Sequence, residues 1–305
     1  MKHVVLALPL LCAAIAAAGQ TFRSGVDGVQ VDVLVVDGNH AVAGLRVSDF
    51  ELRDSGVEQR IDSVAFEDVP LNVMLALDTS ESVAGTPLEH LKQAAAAAIQ
   101  LMRPADRGAV VTFNDYVTLQ SDWTNDQPQL MDAIRAATAA GATALHDAAY
   151  TALTVRATQP GRTLALIFSD GEDTASWLPG QSAIDIARRN DAVVYAVQLR
   201  SAARWSPGYR VDFHSGLQTG AAPVRPSMLM ERFLTTIADQ TGGQVINAAR
   251  SEQLHERFMH IMTEFRTRYL LTYTPSGVEK AGWHPIEVKL KNKKGKVTAR
   301  RGYLR

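Results

Sequence analysis

Hydrophobic and polar positions change their period several times along this chain, and each change marks an element. Val29, Val31, Val33 and Val35 alternate with polar residues and run into Asp37-Gly38-Asn39-His40, which predicts a half-buried strand and a tight connection. Leu45 to Leu52 and Val57 to Phe66 predict further strands around Asp54-Ser55-Gly56. Leu71–Leu77 is instead an apolar run of strand length, the pattern of a strand buried on both faces of a parallel sheet. Beyond it, Thr86-Pro87-Leu88-Glu89 reads as a helix start, with Thr as N-cap, Pro at the first helical position and Glu closing a capping box. The stripe of that helix is Leu88, Leu91, Ala95, Ala98 and Met102. Gly108–Phe113 predicts a strand joined through Asn114-Asp115 to Tyr116–Leu119 as an edge hairpin.

The alternation continues. Leu130 and Ile134 mark a short helix, and Leu145, Ala149, Ala152 and Val155 mark another. Leu164–Phe168 predicts a strand, Ile184 and Ala187 a helix, and Ala192–Leu199 a strand. From Arg200 to Pro226 Gly, Pro and Arg accumulate and neither period persists. Ser227 is placed to cap a helix carrying Leu229, Phe233 and Ile237, which stops at Gly242-Gly243. Val245-Ile246 is a short strand, and Leu254, Phe258, Ile261, Met262 and Phe265 form the cleanest helical stripe in the chain. After Arg266 strands return, at Tyr269–Thr274, Pro285–Leu290 and Val297–Leu304.

Chemistry concentrates where the Leu71–Leu77 strand ends. Asp78, Ser80 and Ser82 place three oxygen-bearing side chains at spacing two, at the carboxyl end of a strand, where open α/β sheets bind ligands. Two hydroxyls and a carboxylate suit a hard divalent cation that keeps several waters, Mg²⁺ above all. They do not suit zinc, which prefers Cys and His.

This Asp-x-Ser-x-Ser after a buried strand resembles the metal-ion-dependent adhesion site of von Willebrand factor A domains. That family completes its site with a Thr from a second loop and an Asp from a third. Gly141-Ala142-Thr143-Ala144-Leu145 supplies a matching Thr143, and Phe168-Ser169-Asp170-Gly171-Glu172-Asp173 a matching Asp170. Capping by Ser80 and Ser82 and a turn at Asp170 would explain each residue singly. Capping does not require three loops to agree. The resemblance extends to Asp49-Phe50 and Asp54-Ser55-Gly56 before the domain, and to Tyr269–Pro275 and Arg301-Gly302-Tyr303 after it. It implies an α/β fold with a doubly wound, mostly parallel, Rossmann-like sheet. The terminal strands are too few to bury a core alone, so the two sets are expected to share a small β-sandwich module. The expected division is a signal peptide over 1–19, an N-terminal strand module over 20–68, the A domain over 69–265 and the C-terminal strands over 266–305.

Composition narrows the functional class. A net charge of −1 over 305 residues gives no electrostatic footprint for nucleic acid. Met1-Lys2-His3 and the apolar Val4–Ala18 read as a secretory signal, too short for a retained membrane span, so an extracytoplasmic location is expected. The single cysteine, Cys12, lies inside it, which leaves the mature chain without thiol or disulfide chemistry. His255 and His260 point to different helix faces, which argues against joint ligation. His146 either leans over the metal or bridges a helix start, and Glu172 and Asp173 either support Asp170 or sit in solvent. The basic stretch Lys289–Arg305 is read as discouraging edge pairing. No Asp-x-Asp phosphoryl-transfer loop and no Gly-x-Ser-x-Gly elbow accompanies Ser80 or Ser169, so the chain is not expected to be an enzyme.

The resemblance implies a cation (Mg²⁺, or Mn²⁺ or Ca²⁺) held by Ser80, Ser82 and Thr143 directly and by Asp78 and Asp170 directly or through water. An open position would take an Asp or Glu of a protein partner, as in adhesion. The alternative is a scaffold subunit in which the metal only stabilises the loops. Partner choice is expected from the Arg200–Pro226 segment, with Trp205, Tyr209 and Arg210 as contact residues; the alternative is an insertion with no partner.

Overall fold

The computed structural model describes residues 28–38, 40–155, 161–199 and 226–305, and for 226–231 the backbone only. In chain order, β1 (Val29–Asp37), β2 (His40–Ala41), β3 (Phe50–Asp54), β4 (Val57–Gln59) and β5 (Ile61–Phe66) come first. Strands and helices then alternate: β6 (Leu71–Asp78), α1 (Thr86–Gln100), β7 (Arg107–Phe113), β8 (Val117–Thr124), α2 (Gln127–Arg135), α3 (Leu145–Thr154), β9 (Arg162–Ser169). They continue through α4 (Gly180–Arg189), β10 (Val193–Leu199), α5 (Pro226–Thr241), β11 (Val245–Ala248) and α6 (Leu254–Arg266). Four strands follow: β12 (Tyr269–Tyr273), β13 (Trp283–Leu290), β14 (Lys296–Thr298) and β15 (Gly302–Leu304).

The central sheet has the order β11-β10-β9-β6-β7-β8. Its pairs are parallel except the β7–β8 edge hairpin. Every residue of β6 is buried, because successive side chains feed opposite cores. Leu71, Val73, Leu75 and Leu77 pack with apolar residues of α1, α2 and α6, whereas Met74 and Ala76 pack with those of α3, α4 and α5. Each such leucine contributes about 1.5–3 kcal/mol of transfer free energy. The stiff sheet fixes the loops at its carboxyl ends.

The terminal strands form two antiparallel sheets, β14-β1-β12-β5 with β2 beside β1, and β15-β13-β3-β4. Val31, Val33, Val35, Phe50, Leu52, Leu271 and Tyr273 meet in one apolar cluster that draws on both sheets and both ends of the chain. Asp54 lies fully buried among them. Its carboxylate accepts from Tyr273 Oη (2.8 Å), Tyr303 Oη (2.9 Å), Ser55 Oγ (3.0 Å) and His284 Nδ1 (3.0 Å). Burial pushes its pKa up, but these four donors hold it below the ordinary value.

Several local expectations are corrected. α1 begins at Thr86 itself, with Gly85 at the N-cap (φ 76°) and no side-chain cap, so the capping box does not form. The left-handed turn at Gly85 carries the chain from the short 3-10 turn Glu81–Val83 directly into the helix. Ser227 is likewise inside α5 and not its cap. The strand expected over Leu45–Leu52 starts only at Phe50, after a 3-10 turn at Val47–Asp49. The run Val57–Phe66 divides at Arg60 between the two small sheets, and Val297–Leu304 divides in the same way. β1 is not half-buried: its five residues from Val31 to Val35 are all buried. The polar member, Asp32, faces Arg162 of β9 at 3.0 Å.

That contact belongs to a buried polar junction at the amino end of the central sheet. Arg162 Nη1 donates to the Arg268 carbonyl (2.9 Å), and Nη2 to that of Phe265. Arg268 Nη2 donates to Tyr195 Oη (2.7 Å) and to the Gly242 carbonyl (2.8 Å). Burial raises the pKa of Asp32 and lowers that of Arg162, each opposed by the charge of the other. Asp32→Ala should therefore cost about 3 kcal/mol in urea denaturation, because it strands a buried guanidinium. Adding Arg162→Met should recover part of the loss. Strict additivity of the two substitutions would show that the pair is not coupled.

Candidate metal site

The site begins where β6 hands over to its loop. Asp78, Ser80 and Thr143 are buried, whereas Ser82 and Asp170 are half-buried at the rim. Asp78 Oδ1 accepts from the Ser80 amide (2.9 Å), which folds the Asp-x-Ser turn onto its own carboxylate. Asp78 Oδ2 accepts from Ser169 Oγ (2.7 Å). The two meet because β6 and β9 are parallel with Leu77 opposite Phe168, so their next residues lie side by side. Ser80 Oγ and Ser82 Oγ are 2.8 Å apart, and Ser82 Oγ donates to Asp170 Oδ1 at 2.6 Å. Ser82 Oγ and Thr143 Oγ1 both flank Gly171, each 3.8 Å from where a Cβ would stand. The structure thus brings all five expected residues to the carboxyl ends of β6 and β9, with Thr143 on the adjoining loop.

Main-chain bonds hold the three loops together. The Glu81 amide donates to the Gly141 carbonyl (3.0 Å) and the Ala140 amide to that of Thr79 (2.9 Å). The Thr143 amide donates to Thr174 Oγ1 (3.0 Å), and the Thr174 amide returns to the Thr143 carbonyl (2.8 Å). Gly141 has φ 73°, and a Cβ there would stand 1.8 Å from Asp115 Oδ2. Asp115 itself accepts from the Ala142 amide (3.0 Å). Ser169, Asp115 and Gly141 are therefore parts of the site that the motif does not contain.

Electrostatically the site favours a proton on Asp78. Burial pushes the Asp78 carboxyl up to about 6, against hydrogen bonds from Ser80 and Ser169, and the Asp170 charge pushes the same way. The donor set is hard oxygen throughout, which fits an Mg²⁺-like ion. Among the described residues no three His, Cys, Asp or Glu side chains converge; this cluster relies on hydroxyls.

The other candidates resolve individually. His146 Nδ1 lies 3.3 Å from Asp173 Oδ2 and its ring meets Phe233 edge-on at 4.5 Å, a bridge at the start of α3. Asp173 also accepts from the His146 amide (3.1 Å), so it shapes the loop. His260 faces Glu264 at 3.7 Å. Lys289, Lys291 and Lys293 pair with Glu287, Glu58 and Asp49. Trp205, Tyr209 and Arg210 lie outside the described residues, as do Cys12 and the signal segment. Among the described residues no helix is long and apolar enough to cross a membrane.

Residues 73–172 match the model of the von Willebrand factor type A domain. Among solved structures, the von Willebrand factor type A protein of Catenulispora acidiphila shares 14% identity over 89% of this chain and 76% of that one, with a TM-score of 0.51. Proximal thread matrix protein 1 from the mussel byssus, solved with zinc in its adhesion-site motif, shares 15% identity over 68% of this chain and 48% of its own, with a TM-score of 0.51. The vWF domain of the type V pili tip protein Mfa5 from Porphyromonas gingivalis shares 24% identity over 35% of this chain and 39% of that one, with a TM-score of 0.33. The alignments thus span less than half the length of the latter two proteins. No curated protein matches the chain. The α/β fold is that of von Willebrand A domains, a family that commonly mediates protein–protein interaction and often binds a divalent cation. Residues 73–172 are thus similar to the von Willebrand factor type A domain in sequence pattern, and the chain is similar to such domains in fold.

Proposed function

We propose that the A-type domain holds a divalent cation, Mg²⁺ foremost and Mn²⁺ or Ca²⁺ as substitutes, and captures through it an Asp or Glu of a protein partner. Ser80, Ser82 and Thr143 would hold the ion directly, and Asp78 and Asp170 directly or through water. When bound, the cation supplies an electrophilic position that a partner carboxylate fills. The observation that carries this reading is the hydrogen-bonded set Asp78, Ser80, Ser82 and Asp170, with Thr143 Oγ1 beside the same Gly171. Zinc in the mussel protein's motif means that the ligand chemistry alone does not exclude zinc, which also accepts oxygen ligands. We read the domain as a binding module and not an enzyme. The Ser80 and Ser82 hydroxyls engage each other and Asp170, and that of Ser169 engages Asp78 and the Gly171 carbonyl, with no His base beside them among the described residues. The four-part domain division, the two small sheets as one sandwich and an extracytoplasmic location complete the proposal.

Affinity capture tests it. Partner recovered in Mg²⁺ should be released by chelator and absent from an Asp78→Asn bait; retention under both conditions would favour the scaffold reading.

The proton on Asp78 gives a second handle. A carboxyl raised to about 6 in the fold favours the metal-free folded state most below its unfolded value. That advantage is lost as pH rises through about 6. A cation must displace the same proton. Mg²⁺ affinity should therefore fall about tenfold between pH 7.5 and pH 5. A flat profile across that range would remove Asp78 from the ligand set.

A further inference from the structure

We infer that the metal-bearing face selects a cationic protein segment, one whose metal-seeking carboxylate is flanked by Lys or Arg, with Trp177 and Tyr116 as its docking side chains; this rests on the carboxylate-capture reading above. Trp177 is 88% exposed and Tyr116 74% exposed. They stand on the two loops that bracket Thr143. Tyr116 lies in the β7–β8 turn, whose Asp115 holds the Ala142 amide. Trp177 lies in the loop after β9, whose Thr174 holds the Thr143 amide.

Both aromatics are rigid at the backbone. The Trp177 and Leu178 amides donate to the Asp147 carboxylate, each at 2.9 Å. Tyr116 exchanges bonds with Asn114, its amide to Oδ1 at 3.1 Å and its carbonyl from the Asn114 amide at 3.0 Å. A large aromatic side chain exposed on an anchored backbone loses little entropy on binding, as interface hot spots require.

Charge decides what such a surface takes. Residues 79–85, 114–116, 136–147 and 170–179 carry Glu81, Asp115, Asp147, Asp170, Glu172 and Asp173, and no Lys or Arg. With Asp78, the described loops stay strongly negative even beside a divalent cation. A partner carboxylate approaching alone meets that field; one accompanied by Lys or Arg is drawn by it. The exposed faces of Trp177 and Tyr116 supply cation–π partners for the same groups.

The test uses the full-length protein and three labelled twelve-residue peptides: a central Asp among four Lys, the same with Asn for Asp, and the same with Ser for every Lys. Binding is read by fluorescence anisotropy in Mg²⁺, with Mg²⁺ affinity measured separately by calorimetry. The Lys–Asp peptide should bind at least about tenfold tighter than the Ser–Asp peptide, and more weakly as salt rises. Trp177→Ala and Tyr116→Ala should each weaken it about three- to tenfold with Mg²⁺ affinity unchanged. Glu172→Gln should act in the same direction. Equal binding of the Ser–Asp peptide would overturn the inference, as would indifference to both aromatic substitutions. Equal binding of the Asp and Asn peptides, or indifference to chelator, would instead overturn the carboxylate-capture reading on which the inference stands.

Discussion

Asp78→Asn should abolish measurable Mg²⁺ binding, a loss of at least about 100-fold, while the metal-free protein becomes as stable as wild type or more so. The two effects have one cause. Asp78 is fully buried, and its carboxyl is pushed up to about 6, so holding it ionised at pH 7.5 costs the metal-free fold roughly 3 kcal/mol. A bound cation would offset that cost in the wild type. Asn removes the charge but keeps the shape: its oxygen still accepts from the Ser80 amide, and Ser169 Oγ can turn to accept from its nitrogen. Calorimetry and urea denaturation on both proteins measure the pair of effects. Retained Mg²⁺ affinity would refute the ligand assignment. A loss of stability above about 2 kcal/mol would show that the carboxylate is structural instead.

The second large effect lies far from the metal. Asp54→Ala should cost about 4 kcal/mol or more, because it leaves Tyr273 Oη, Tyr303 Oη and His284 Nδ1 without their acceptor in a buried site. His284 Nε2 is already buried without a partner among the described residues, so the cluster has little slack to reorganise around a lost acceptor. β3, β12, β13 and β15 meet at this one carboxylate. Hydrogen exchange should therefore accelerate in β1 as well, since β1 pairs with β12 from Val29 to Val33. Asp54→Asn, which keeps an acceptor, should cost about half as much. Protection of β1 unchanged in Asp54→Ala would mean that the terminal strands do not depend on the cluster.

How legible each feature was depended on the range of the interaction behind it. β6 could be read from Leu71–Leu77 because a strand buried on both faces leaves a local signature. Asp78, Ser80 and Ser82 are close in sequence, and Thr143 and Asp170 were found by resemblance to a family pattern. Ser169 was missed because its bond to Asp78 exists only through the register of β6 with β9. Asp115 was missed for the same kind of reason, since it matters only once the β7–β8 turn lies against Gly141. β1 read as half-buried because Asp32 looks like a solvent residue; its counter-charge, Arg162, arrives from β9, far along the chain. The Thr86 capping box satisfied every local rule, and Gly85 displaced it by bringing the chain in left-handed.

Ser80, Ser82 and Thr143, with Asp78 and Asp170, should form one divalent-cation site. Crystals grown in MnCl₂ test it most directly, by anomalous scattering at the manganese edge. A single strong peak should stand among the hydroxyls of Ser80, Ser82 and Thr143 in the wild type and vanish in Asp78→Asn. A manganese peak elsewhere, with none between these three hydroxyls, would rule this site out.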